Sequence, residues 1–313
     1  MSANVKGVSI NGLQEARICL LYALNVKALT GTNHLTTKKI MQNNIPTFVK
    51  WAGGKKQLIE QFKPLFPEKI NRYFDVFVGG SAVAFYIIKH YKPKEVFLSD
   101  INEELINTLN IIKTDVENLI KELKKLKSLH SKENFYKVRA EDPKLLSNLK
   151  RASRFIYLNK SCFNGLYRVN SKGGFNVPFN NSKNPLICPE EDLREISHLL
   201  KNAKIEVKQF YEIEKEVKKG DFCYFDPPYY PLKRESFTTY TKEVFLEKEQ
   251  ERLAKLFKDL NKKGVKVMLS NSDTKFIRDL YKDYPIQIVK ANRMINCDGK
   301  GRGKINELVV TNY

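Results

Sequence analysis

From residue 47 onward, short apolar runs alternate with longer stretches whose apolar positions recur every three or four residues. The first kind reads as strand and the second as amphipathic helix. YFDVFVGG is a strand ending at two glycines, and the helical SAVAFYIIKHY follows it. KPKEVFLSD is a second strand, ending in Asp100. INEELINTLNIIKTDVENLIKELKKL then reads as one helix, with Leu105, Ile106, Leu109 and Ile112 at helical spacing. Strand, helix, strand, helix predicts parallel strands joined by crossover helices. The order resumes at DFCYFDPPYY. The next helix, EVFLEKEQERLAKLFKDLNKKG, puts Leu253, Leu256, Phe257 and Leu260 on one face and stops at Gly264. VKVMLSN is a further strand, and IQIVKANRM and NELVVTNY form an antiparallel pair across the glycine-rich NCDGKGRGKI. The prediction is an α/β protein: a mostly parallel sheet, an antiparallel edge, and an insert between two halves.

That insert differs in charge as well as pattern. Residues 113–172 hold fifteen Lys/Arg against six Asp/Glu and lead into NGLYRVNSKGGFNVPFNNSKNP, a loop rich in glycine and asparagine. A solvated insert is the plain reading; a substrate-facing subdomain is the sharper one. The expected division is an N-terminal extension over 1–44, a discontinuous catalytic domain over 45–112 and 200–313, and an insert over 113–199. Residues 1–44 include one candidate amphipathic helix, and Met41 is a candidate start because the strong patterns begin just after it. N-terminal mass analysis of the native protein distinguishes the two starts.

The whole 313-residue chain repeats the charge bias, with 55 Lys/Arg, 35 Asp/Glu and a net charge of +20. A polyanionic partner is favoured, nucleic acid before an anionic membrane surface. No stretch reaches the length of a membrane span. Five cysteines and four histidines are scattered without metal-ligand spacing, which argues against a zinc site or a disulfide framework and fits a reducing cytoplasm.

The strand ends carry the candidate chemistry. Ligands of open parallel sheets bind beyond the carboxyl ends of the strands. FVGG, residues 77–80, lets the backbone approach a bound molecule closely, and Asp100 lies 21 residues after Gly79, the spacing at which an acid binds ribose hydroxyls. Neither a dinucleotide fingerprint nor a P-loop is present, so a nucleoside cofactor without a phosphate chain is indicated, with S-adenosylmethionine the foremost candidate. Lys55, in a glycine-rich turn, is placed to hold its carboxylate.

DPPYY, starting at Asp226, supplies the rest. The lone pair of an exocyclic base amine is delocalised into the ring. Two fixed acceptors for its N–H groups pull the nitrogen toward tetrahedral geometry. Asp226 is one acceptor, and a carbonyl held by Pro227 and Pro228 is the other. Tyr229, with Tyr230 beside it, supplies a stacking surface for the base at about 1–3 kcal/mol. A plain turn after a core strand is the competing reading.

DPPY, FVKWAGGKKQL, FVGG, LSDIN, YLNKSCFNGLYRVNSKGGFNVPF, SNSDT and GRGKINELVVTNY together resemble the Dam-type DNA adenine-N6 methyltransferases, in the same order over residues 47–313. The resemblance implies a Rossmann-like methyltransferase fold with an inserted, mainly helical target-recognition domain. It implies S-adenosylmethionine as cofactor and adenine in GATC as the usual target. Trp51, Lys55, Asp100 and Asp226 would contact the cofactor, with Phe77 and Gly79 in the FVGG turn. Asp226, Pro227, Pro228 and Tyr229 would form the catalytic pocket. Lys50 matches a lysine that contacts the first guanine. Phe163 matches an aromatic that inserts into the base stack, core packing being its competing reading. Asn164, Leu166, Arg168 and Asn170 match the DNA-facing loop, completed by Asn176 and Pro178. The chain departs from the family at Val76, Ser81, Lys160 and Phe163, where the family has proline, glycine, arginine and tyrosine.

The expected activity is methyl transfer to N6 of an adenine flipped from double-stranded DNA, with no covalent intermediate and no metal. The protein is expected to be a monomer or weak dimer, without membrane association, serving as the modification partner of a restriction endonuclease. Methylation of cytosine N4 or of an RNA base is the nearest alternative. A dinucleotide oxidoreductase and a non-catalytic DNA-binding protein are more distant ones.

Overall fold

Phe222–Phe225, four consecutive buried residues, form a strand with neighbours on both edges and cover on both faces. A fully buried strand of a parallel sheet has that continuous apolar character. The computed structural model describes residues 45–170, 173–182, 184–232, 245–292 and 304–313; the expected N-terminal helix and the glycine-rich 296–303 lie outside these residues. The chain divides between Ile45 and Pro46, and the elements below belong to the unit Pro46–Tyr313.

Among the described residues, seven strands make one sheet: β1 (Arg72–Asp75), β2 (Glu95–Asp100), β3 (Ala203–Val207), β4 (Phe222–Phe225), β5 (Lys266–Ser272), β6 (Ile286–Asn292) and β7 (Lys304–Thr311). Their order is β3-β2-β1-β4-β5-β7-β6. The first five in that row run parallel, while β7 is antiparallel to both β5 and β6. The chain moves outward from β1 to β2 and β3, then returns to β4 on the other side of β1. The β1–β4 junction is therefore the topological switch point, where an open sheet of this kind splays to admit a ligand. The fold is α/β and Rossmann-like, with the parallel sheet and antiparallel edge expected from the residue pattern.

Nine α-helical segments are described: α1 (Ile59–Phe62), α2 (Ala82–Tyr91), α3 (Glu103–Thr114), α4 (Val116–Ser128), α5 (Lys132–Ala140), α6 (Asn148–Ser161), α7 (Glu190–Leu200), α8 (Glu247–Lys262) and α9 (Lys275–Leu280). On one face of the sheet, Leu253, Leu256, Phe257 and Leu260 of α8 are buried with Phe225, Val267, Leu269 and Val310. Burying each such side chain contributes about 1.5–3 kcal/mol, which decides how this helix lies. Gly264 ends it with a positive φ of 75°.

The helix expected over residues 101–126 is two helices. It breaks at Asp115 (φ −148°, ψ 43°), whose side chain accepts a 2.8 Å hydrogen bond from Asn118. Asp115 closes one helix and opens the next, and aspartate favours an N-cap over a helix interior, a preference that periodicity alone does not register. Beyond the break, α6 is buried on every side from Ala152 to Ser161. It packs on α3, α4 and α5, and Arg151 pairs with Glu104 of α3 at 2.6 Å. Among the described residues, no helix is long and apolar enough to cross a membrane.

Candidate active site

Three acids stand at the carboxyl ends of adjacent strands: Asp75 closes β1, Asp100 closes β2, and Asp226 follows β4. They line one cleft of about 1550 Å³ over the switch point, together with Trp51, Lys55, Phe77, Gly79, Pro227, Pro228, Tyr229 and Arg168. The proposed cofactor and catalytic residues, distant in sequence, are thus brought to one place. Asp75 was not anticipated. The strand pattern ran through it to the glycines, whereas β1 ends on it.

Each acid is held differently. Asp226 Oδ1 lies 2.8 Å from Lys55 Nζ. Burial pushes its carboxyl up to about 6, opposed by the Lys55 ammonium. That ammonium also donates to the Gly53 carbonyl at 2.5 Å and sits 4.6 Å from the centre of the Tyr229 ring. Asp75 is pushed up to about 8, chiefly by burial, although it accepts bonds from the Tyr73 hydroxyl at 3.0 Å and the Phe77 N–H at 3.3 Å. Asp100 accepts from the N–H groups of Gly79 (3.1 Å) and Asn102 (3.0 Å), and burial raises its pKa against these bonds. The Ile101 N–H bonds this carboxylate too, so of its roughly four lone-pair sites one is left for a ligand hydroxyl.

Three desolvated acids, Asp75 mostly neutral near pH 7 at about 8, lie beside one ammonium and suit a cationic ligand, because a positive charge among them favours their ionised forms. Rings complete the wall. Phe77 stacks on Phe210 at 5.6 Å, and both line the cleft. The acids and rings therefore fit S-adenosylmethionine, which combines a sulfonium, ribose hydroxyls and an aromatic base.

Gly79 and Gly80 have a second purpose that the sequence did not disclose. A Cβ on Gly79 would stand 2.7 Å from the Trp51 indole nitrogen, and one on Gly80 would stand 2.8 Å from Trp51 Cβ. The close approach is thus already made by this protein's own tryptophan. Trp51 reaches further, to Tyr167 at 6.1 Å and 22° and to Phe155 at 6.3 Å.

Tyr229 faces the cleft, and its hydroxyl donates to Glu307 Oε2 at 2.7 Å. Burial and the neighbouring carboxylates Asp226 and Glu307 raise its pKa, so the hydroxyl stays protonated. Glu307, on β7, was also unanticipated; a lone acid within the apolar NELVVTNY was its only sequence signal. Tyr230 turns elsewhere: its ring lies 4.7 Å from Phe276 and its hydroxyl donates to Glu247 at 2.7 Å.

The remaining candidates cluster on the segment after α6. Phe163 is 50% exposed, so it is not a core residue. Its N–H donates to the Pro178 carbonyl, and Cys162 bridges to Phe179, which joins the two ends of the loop. Arg168 Nε donates to Asn176 Oδ1 at 2.6 Å, beside a Val169–Phe175 bridge, and Asn170 accepts from the Gly174 N–H at 3.0 Å. Asn164 (φ 56°) and Pro178 are exposed, and Leu166 is half-buried. Lys50 is exposed too, but its backbone is bracketed by the Asn159 side chain at 2.7 and 2.8 Å. Asn159 also donates to the Gly165 carbonyl at 2.8 Å, drawing the segment around Lys50 against the turn.

Gly165 is required there. Its φ is 64°, and a Cβ would meet Lys50 Cδ at 2.6 Å as well as Lys50 Cβ. Left-handed strain costs of order 1–3 kcal/mol and overpacking typically another 1–3. Gly165→Ala should therefore lower stability by about 2 kcal/mol or more, read from the shift in urea midpoint. An unchanged midpoint would refute this contact.

Comparison with known proteins agrees with the geometry. Residues 51–295 match the family model for D12 class N6 adenine-specific DNA methyltransferases. Type II methyltransferase M.MjaIII of Methanocaldococcus jannaschii is 46% identical over 86% of this chain and 99% of its own length. Type II methyltransferase M1.LlaDCHI of Lactococcus lactis is 43% identical over 86% and 96%. The DNA adenine methylase of Escherichia coli is 32% identical over 84% and 93%. With matches of this extent, the chain belongs to the D12 class of N6 adenine-specific DNA methyltransferases.

Proposed function

We propose that this adenine-N6 DNA methyltransferase acts on GATC in double-stranded DNA and serves as the modification partner of a restriction endonuclease. The observation behind the reading is that Asp226, Pro227, Tyr229 and Arg168 line one cleft, so catalytic and base-reading groups border the same space. S-adenosylmethionine supplies an electrophilic methyl group. Trp51, Lys55, Phe77, Gly79, Asp100 and Asp226 would hold it.

The chain's own residues do the rest. The Asp226 carboxylate accepts one N–H of the target amine, and the Pro227 carbonyl accepts the other. The Pro228 carbonyl is engaged already, accepting from Gln250 at 2.9 Å. Two fixed acceptors localise the nitrogen lone pair and aim it toward the cofactor side of the cleft. After transfer the amine has one proton to shed, and Asp226, pushed up to about 6, is basic enough to receive it. Tyr229 stacks on the extruded base, and about 1–3 kcal/mol of stacking offsets the few kcal/mol of unpairing.

Residues 113–199 form the target-recognition insert in this reading. Phe163 enters the base stack, Arg168 and Lys50 read guanines, and Asn164, Leu166, Asn170, Asn176 and Pro178 shape the DNA-facing loop. Bidentate Arg–guanine pairing discriminates by about 1–3 kcal/mol per base. The motif resemblance to Dam-type enzymes supports GATC, and the relatives named type II methyltransferases support the link to restriction. The enzyme is read as a monomer or weak dimer. Methylating an unmodified plasmid in vitro and mapping modified bases by sequencing tests the reading. Modified adenines confined to GATC are expected; modification at another sequence, or of cytosine, would reject the assigned target.

A further inference from the structure

One polar pair has no place in the chemistry above. Gln250 is the polar member of the buried face of α8, otherwise made of Leu253, Ala254, Leu256, Phe257 and Leu260. Its side chain is fully buried, as is that of Asn271 on β5. Neither lines the cleft. They form a chain of hydrogen bonds that ends on the backbone of the DPPYY turn. Gln250 Nε2 donates to the Pro228 carbonyl at 2.9 Å, and Gln250 Oε1 accepts from Asn271 Nδ2 at 2.9 Å. Asn271 Oδ1 accepts from the Tyr230 N–H at 3.3 Å and the Ser272 N–H at 2.8 Å. Ser272 Oγ donates to the Tyr230 carbonyl at 2.7 Å.

Both amide orientations are dictated. Two backbone N–H groups face Asn271 Oδ1, so an NH₂ there would leave donors opposing donors. A satisfied buried polar network adds little stability over apolar residues of similar volume, and its best-attested use is to specify one geometry. Here it grips the residues on either side of Tyr229.

We infer that Gln250 and Asn271 are positioning residues for methyl transfer. By fixing Pro228 and Tyr230 they hold the Tyr229 ring and the Pro227 carbonyl in register with Asp226, without touching substrate or cofactor. The inference rests on the proposed roles of Asp226, Pro227 and Tyr229. Catalytic geometry is steep, and misplacement by about 1 Å costs roughly a hundredfold in rate.

The test uses the full chain with Gln250→Leu, Asn271→Leu and both together. Single-turnover methyl transfer into plasmid DNA is measured beside the affinities for S-adenosylmethionine and for that DNA, and the melting temperature. Each single variant leaves its partner's buried groups unpaired and should melt a few degrees lower; assayed where it is fully folded, it should lose about a hundredfold in transfer rate with both affinities near wild type. The double variant should be no slower than the slower single one, because the two amides act in series. Gln250→Met keeps the side-chain length without either strong hydrogen bond, and should show the same loss if a leucine variant does not fold. A folded variant with wild-type transfer overturns the inference, as does a rate loss that merely follows lost affinity or melting temperature. An active wild type beside a fully active Gln250→Leu overturns this inference alone. A wild type that methylates no DNA overturns the underlying reading and this inference with it.

Discussion

Asp226→Asn should lower single-turnover methyl transfer by roughly a thousandfold while leaving DNA affinity near wild type. The carboxylate accepts two hydrogen bonds or more; the amide presents one oxygen and an NH₂, and that NH₂ opposes the donors of the target amine. Charge-assisted acceptance by an ionised oxygen is roughly twice as strong as its neutral counterpart, so even a correctly turned amide falls short. Phosphate contacts dominate DNA affinity, and none of them is assigned to this acid. Asp226→Ala should abolish transfer as well, with an added cost. Lys55, 5% exposed and 2.8 Å from the carboxylate, would lose its counter-ion. The asparagine variant is therefore the cleaner probe. Near-normal turnover by it would mean that some other group accepts the target's protons.

The second large effect is in pH. Transfer requires the ionised form of Asp226, whose carboxyl burial pushes up from 3.8 to about 6. Below that value the rate should fall about tenfold per pH unit, following the ionised fraction. Lys55 opposes the rise, so Lys55→Met should move the acidic limb upward, above about 6, and weaken cofactor binding as well. The sign for stability is opposite. With a folded-state value above the unfolded one, Asp226 favours folding below its ordinary range, and that contribution is lost as pH rises from about 4 to about 6. Rate–pH profiles of both proteins check this. A wild-type limb near 4, or a downward shift in Lys55→Met, would contradict the assigned environment.

Much of this arrangement was legible in the residues because the strands end on chemistry. β2 stops at Asp100 and β4 stops just short of Asp226, so the residue pattern alone puts both acids at the sheet's carboxyl edge. What escaped is instructive. β3, with its alternating exposure, lacks a continuous apolar run, and no strand was anticipated there. Asp75 was hidden because an acid buried at 2% exposure inside YFDVFV looks like a strand position. Glu307 was hidden because its partner, the Tyr229 hydroxyl, lies 78 residues away. The FVGG glycines read as room for a bound molecule, whereas the close approach in the structure is that of Trp51, which pattern alone could not reveal. Periodicity reports burial, and it is blind to which side chain arrives from elsewhere in the chain.

The central claim concerns an amine held between two acceptors, and a crystal structure with duplex DNA and a non-reactive cofactor analogue tests it most directly. The expected result is an adenine turned out of the helix and stacked on Tyr229. Its amino nitrogen should lie within about 3.2 Å of both an Asp226 oxygen and the Pro227 carbonyl. An adenine left in the helix, or an Asp226 far from any base and still paired with Lys55 alone, would contradict it.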